Sequence, residues 1–181
     1  MWKKGLLLML GAVLAVSLTA CAGGGEGSSS PSGADSSQAG AAQTGKTLDV
    51  EAAAKALLEG ADFDDPPAEL REKLLTAQYA GLDTADVVSW KVYVSGASTA
   101  DEVAVFEAKD AEAAQRIKAV IDTRLASLIE QYSGYGPTKV PKLKDPLLVV
   151  EGNYVVLCVS NDNAKAQELA AQTPDSFIPG Q

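Results

Sequence analysis

The sequence predicts an α+β domain: a two-layer, four-stranded antiparallel sheet of two hairpins flanking a long amphipathic helix, with additional N- and C-terminal helices. Three observations carry this. In residues 87–95, Val88, Trp90, Val92 and Val94 alternate with Ser89, Lys91, Tyr93 and Ser95, the period-two pattern of a half-buried strand. Further on, Ala114, Ile117, Ile121, Leu125, Leu128 and Tyr132 recur at spacings of three or four, while Glu112, Arg116, Lys118, Asp122 and Glu130 cover the other face, as in a surface helix. Finally, two apolar runs within residues 147–160 are separated by Gly152-Asn153, a favoured two-residue hairpin turn.

The elements follow in order. Thr47-Leu48-Asp49 caps a helix over residues 50–59, with Val50, Ala53, Leu57 and Leu58 as its apolar stripe and Gly60 as its end. Asp64-Asp65-Pro66-Pro67 is a turn, and Pro67 suits the first position of a short helix through Leu75. The strand at residues 87–95 turns at residues 96–99 and returns as residues 102–108, forming the first hairpin. Lys109-Asp110 opens the long helix, which ends near Ser133-Gly134. Residues 135–146 contain three prolines and read as a stiff, extended loop. The second hairpin follows, and Asn161-Asp162-Asn163 caps a last helix over residues 164–172.

The segment before the domain has its own pattern. Lys3 and Lys4 precede an uncharged run from Gly5 to Leu18, too short to cross about 30 Å of hydrocarbon but suited to a signal peptide. Leu18-Thr19-Ala20-Cys21 resembles the lipobox of bacterial lipoproteins. That resemblance implies a diacylglyceryl thioether on Cys21 and cleavage before it. Two acyl chains suffice for stable anchoring, whereas one gives only marginal binding. Residues 22–46 hold no aromatic and no large aliphatic residue, so they cannot offset their ordering entropy by burial. About two dozen such residues span roughly 25–30 Å as a flexible tether. The expected organisation is therefore a signal peptide at 1–20, a lipidated cysteine and linker at 21–46, a domain at 47–173 and a loose tail at 174–181.

Charge and composition narrow the function. Without Lys3 and Lys4, the 15 basic residues become 13, against 24 acidic ones, a net charge of −11. Nucleic acid and anionic membrane surfaces are poor partners for such a chain. The chain holds no histidine, which removes histidine-based triads, zinc sites and general acid–base work. Of its two cysteines, lipidation consumes Cys21 and leaves Cys158 without a disulfide partner. Cys158 lies in the apolar run Tyr154–Val159 and is expected to be a small buried hydrophobe rather than a reactive thiol. No catalytic set, cofactor motif or metal set is legible.

Three residues stand out as candidate partner contacts. Asp101-Glu102 is either a carboxylate pair for a cation or amine, or a turn carboxylate beside a solvated strand residue. Tyr135, next to glycine and proline, is the aromatic expected to be exposed; Trp90, Tyr93, Tyr132 and Tyr154 are expected in the core or in hairpin pairs. Asp62, Asp64 and Asp65 are close enough to suggest calcium, but Pro66 and Pro67 follow, and the glycine and distal glutamate of such a loop are missing.

The run Ser98-Thr99-Ala100-Asp101-Glu102-Val103-Ala104-Val105-Phe106, the long helix after it, Tyr135-x-Pro137 and Gly152-Asn153-Tyr154-Val155 together resemble a domain-of-unknown-function family. Its members are lipoproteins of clostridia-like Gram-positive bacteria. The resemblance covers roughly residues 50–162 and implies a lipoprotein domain; it brings no activity and no catalytic residues. The expected function is a lipid-anchored, extracytoplasmic, non-enzymatic binding domain at the cell membrane, meeting an envelope protein, peptide or glycan. The competing expectation is a carboxylate enzyme acting on cell-wall glycan, which needs two carboxylates about 5–10 Å apart across a cleft.

Overall fold

The computed structural model describes residues 47–172. The expected signal peptide (1–20), the expected lipidation at Cys21, the expected linker to residue 46 and the expected tail from residue 174 lie outside these residues. The order is α1 (Val50–Gly60), β1 (Ala68–Glu69), α2 (Leu75–Gln78), β2 (Val87–Val94), β3 (Glu102–Ala108), α3 (Ala111–Tyr135), α4 (Val140–Lys144), β4 (Leu147–Glu151), β5 (Tyr154–Val159) and α5 (Asn163–Gln172). The strands form one antiparallel sheet in the order β1-β2-β3-β5-β4. Both predicted hairpins are present, and the α+β class holds. None of the described helices is long and apolar enough to cross a membrane.

The sheet has five strands rather than four, and it is covered on both faces. Val103, Val105, Val156 and Cys158 pack with Leu48, Val50, Ala54, Leu57, Ala166 and Ala170, beneath α1 and α5. Ala104, Phe106, Val155 and Leu157 pack with Ile117, Ile121 and Leu125 of α3 on the opposite side. The reason is in the central strands. β3 and β5 are apolar at successive residues, and side chains in a strand alternate between faces, so each strand buries both. A two-layer arrangement would leave one of these faces in water.

Local chemistry explains the elements. Asp49 caps α1 by accepting the Ala52 N–H at 2.9 Å, and Asp110 caps α3 by accepting that of Ala113 at 2.6 Å. Asp162 accepts the Lys165 N–H at 2.9 Å, within the predicted capping triplet. Gly60 ends α1 where Leu169 of α5 crosses it; a Cβ there would stand 2.7 Å from a Leu169 methyl. Gly152 takes the left-handed φ of +56° that the second hairpin turn needs.

Two stretches differ from expectation. Pro67 does not open a helix. A residue before proline is pushed to extended backbone, and Pro66-Pro67 imposes this on the whole turn. Ala68-Glu69 therefore stays extended and adds to the β2 edge, and helix begins only at Glu72. The stretch predicted as a stiff loop coils instead. Two of its three prolines, Pro137 and Pro141, occupy first-turn positions of a short 3-10 turn (Pro137–Lys139) and of α4, where the missing N–H has no helical partner to lose, and Pro146 lies between α4 and β4.

Candidate functional site

Charged side chains gather at one end of β3, and an open groove lies at the other. At the first end, Glu102 and Asp101 are each 2% exposed. Glu102 belongs to the α3 face. It accepts from Arg124 Nε at 3.0 Å and Nη2 at 2.6 Å, and from the Tyr79 hydroxyl at 2.5 Å. A bidentate guanidinium gives a buried carboxylate two parallel charge-assisted hydrogen bonds, each roughly twice as strong as a neutral one. Tyr79 is fully buried, stands edge-on to Phe106 at 5.3 Å, and has its phenol pushed well above its ordinary range by burial and by Glu102.

Asp101 turns the other way. It accepts from Lys142 Nζ and from the backbone N–H groups of Asp64 and Asp65 at 3.0 and 3.4 Å. Lys142 also reaches Asp64 at 2.9 Å and Asn161 at 3.1 Å, and Lys139 reaches Asp64 at 2.6 Å. The two lysines hold the Asp64 carboxyl down at about 2. This network pins the Asp62–Pro67 turn, and with it β1, against α4.

Asp101 and Glu102 are therefore neither the joint carboxylate pair nor the solvated residues that were the two expectations. Each is buried and committed to its own cation, and they leave the strand in opposite directions. Both side chains are buried and already paired with cations of the fold, Asp101 with Lys142 and Glu102 with Arg124. Tyr135 is 58% exposed; its hydroxyl donates to the Ala97 carbonyl at 3.2 Å and its ring lies 5.0 Å from that of Tyr132. Asp64 spends its carboxylate on lysines rather than joining Asp62 and Asp65 around an ion. Cys158 is fully buried, and burial pushes its thiol up to about 12, which leaves it inert at neutral pH.

At the far end of β3, Glu107 has no such partner. It accepts from the hydroxyls of Ser89 at 2.9 Å and Tyr154 at 3.5 Å, and among the described residues no cation reaches it. It lines an open groove of about 810 Å³ bounded by the start of α1 (Leu48–Glu51), by Glu69–Glu72 and by Ser89, Trp90 and Lys91. Within it, Lys91 is bound by Glu69 at 2.8 Å and approached by Glu51 at 3.6 Å.

The groove lies where the sheet edge is uncovered. Leu70 N–H donates to the Val92 carbonyl at 2.9 Å, the last bond before the chain turns off at Arg71. Backbone polar groups of a strand alternate sides, so the N–H and C=O of Trp90 point the same way as those of Val92, into the gap beyond β1. Val88 is the extra residue of a β-bulge between Val87 and Ser89 and is 62% exposed. The predicted alternation placed it on the buried face with Trp90; the bulge turns it out.

Glu107, Tyr79, Arg124 and Lys142 were not singled out from sequence. One of them left a signal. Arg124 is three residues after Ile121 and four before Leu128, so it sits on the apolar stripe of α3, where a charge requires a buried partner. Glu107 and Lys142 left none, because their roles depend on long-range neighbours.

Fold and site together define a small three-layer α+β domain with its charges neutralised at one end of the central strand and an open sheet edge at the other. The chain belongs to the family described as a domain of unknown function, DUF4358, which matches residues 61–160. That span holds the whole sheet and α3, with both buried charge networks but for Asn161, and leaves out α1 and α5. No curated protein and no solved structure matches the chain.

Proposed function

We propose that this protein is an exported lipoprotein, anchored at the outer face of the cell membrane by lipid on Cys21, whose domain is a non-enzymatic binding module for an envelope partner. The anchor rests on the order of the basic start, the apolar run, the small residues and Cys21. The binding reading rests on one observation above all: the groove at the uncovered β2 edge, where backbone groups of Trp90 and the uncompensated Glu107 face solvent together. An uncovered edge is a ready template for an added strand, and proteins that recognise peptides this way use main-chain bonds for affinity and adjacent pockets for specificity.

The anchor is tested by feeding cells an alkyne palmitate analogue. The wild-type protein takes the label and Cys21→Ala does not; labelling that survives in Cys21→Ala contradicts the anchor. The binding reading is tested in cells by a photo-reactive residue in place of Val88. A discrete cross-linked species, absent when the residue replaces exposed Glu130 on α3, is expected. Identical cross-linking from both positions, or none, contradicts it.

A further inference from the structure

We infer that the occupant of this groove is an extended basic peptide segment that adds to the β2 edge beside Trp90 and places lysine or arginine at alternate positions toward Glu107. The inference rests on the binding reading above and goes beyond it by naming the partner's chemistry.

Charge decides between occupants. The groove is lined by five carboxylates (Asp49, Glu51, Glu69, Glu72 and Glu107) and two cations, Lys91 and Arg71. Lys91 is already taken up by Glu69 and Glu51. The excess is negative, so a second copy of this acidic chain would bring like charge to like charge, and an acidic peptide would do the same. Geometry points the same way. Beyond Arg71, which stays extended opposite Lys91, residues 87–90 give an uncovered edge of roughly 13 Å at about 3.3 Å per residue. The Val88 bulge breaks its flatness, a device that blocks edge-to-edge pairing between folded domains. A single extended segment needs no flat partner sheet and fits the short gap.

Register then sets the pattern. A residue opposite Trp90 shares its face, toward α3. The residues on either side point with Ser89 and Lys91 to the α1 face, into the groove. The one opposite Ser89 lies on the same face as Glu107 but one strand further out, roughly 10 Å away across Ser89, a span a lysine or arginine side chain bridges. Basic residues two apart therefore meet the carboxylates, and the residue between them supplies the backbone bonds to Trp90.

The test uses detergent-solubilised, lipidated protein and a synthetic hexapeptide of alternating valine and lysine. Trp2 and Trp90 are the only tryptophans, so removal of the first twenty residues leaves Trp90 as the sole tryptophan, read selectively by excitation at the red edge where tyrosine does not absorb. Saturable change in its emission is expected with the lysine peptide and none with a glutamate counterpart. Glu51→Gln/Glu72→Gln, at exposed positions, should weaken binding about tenfold and flatten its salt dependence. N-methylation of the peptide should abolish binding at one parity of positions and spare the other. Equal binding of both peptides, no binding of the lysine peptide, or N-methylation effects without parity would overturn the inference. If the lysine peptide fails while the Val88 cross-link survives, the basic-peptide inference falls and the binding module stands; if both fail, both fall.

Discussion

The two ends of β3 carry the same chemistry to opposite ends. Asp101 and Glu102 at its start, and Glu107 near its finish, are carboxylates on one central strand. At the start the fold brings Lys142 and Arg124 to them, and they become structural. At the finish the fold brings two hydroxyls, and the carboxylate keeps its demand for a cation. Whether an acidic residue is available to a partner is thus decided by whether the chain supplies its own counter-charge, not by its residue type or its strand.

This contrast orders the expected effects of mutation. Arg124→Met should cost about 3–5 kcal/mol in chemical denaturation, because it leaves Glu102 buried with a charge and no cation. The double variant Arg124→Met/Glu102→Leu should recover most of that loss, since well-packed apolar groups often replace a buried pair without penalty. Lys142→Met should cost less, about 2–3 kcal/mol, because Asp101 keeps two backbone donors. Glu107→Gln, at the open end, should change stability by no more than about 0.5 kcal/mol while removing the response to basic peptide. An equal loss of stability at both ends would erase the distinction between them.

A smaller effect concerns acid. The Asp64 carboxyl is held at about 2 in the fold by Lys139 and Lys142, against an ordinary 3.8. A carboxylate lowered by folding stabilises the native state above its ordinary value. That contribution is lost as pH falls from about 4 to about 2. Thermal unfolding followed across that window should show a shallower decline in Asp64→Asn than in the wild type. A parallel decline would mean that the Lys139–Asp64–Lys142 bridge contributes nothing.

How far the sequence led differs by feature. Period-two and period-3.6 patterns placed β2, β3, α3 and the second hairpin, because those patterns come from burial of one face and are local. The second buried face was also readable, in the unbroken apolar runs of β3 and β5. The added strand β1 was not: two residues with no apolar alternation pair only because the prolines before them hold the chain extended beside β2. The coil at Pro137–Lys144 was hidden because proline breaks helices in their interior but not in their first turn. Asp101 and Glu102 were noticed, but their fates depended on Lys142 and Arg124, 41 and 22 residues away. Glu107 looked like any strand residue, and only the early departure of β1 at Arg71 makes it the floor of a groove.

The most direct measurement is amide exchange at β2. The amides of Lys91 and Tyr93 pair inward with β3 and should exchange slowly in the free protein. The Trp90 amide faces the gap and should exchange fast, then become protected when the alternating lysine peptide is added. Slow Trp90 exchange in the free protein, or unchanged fast exchange with the peptide bound, would contradict an open edge that takes an added strand.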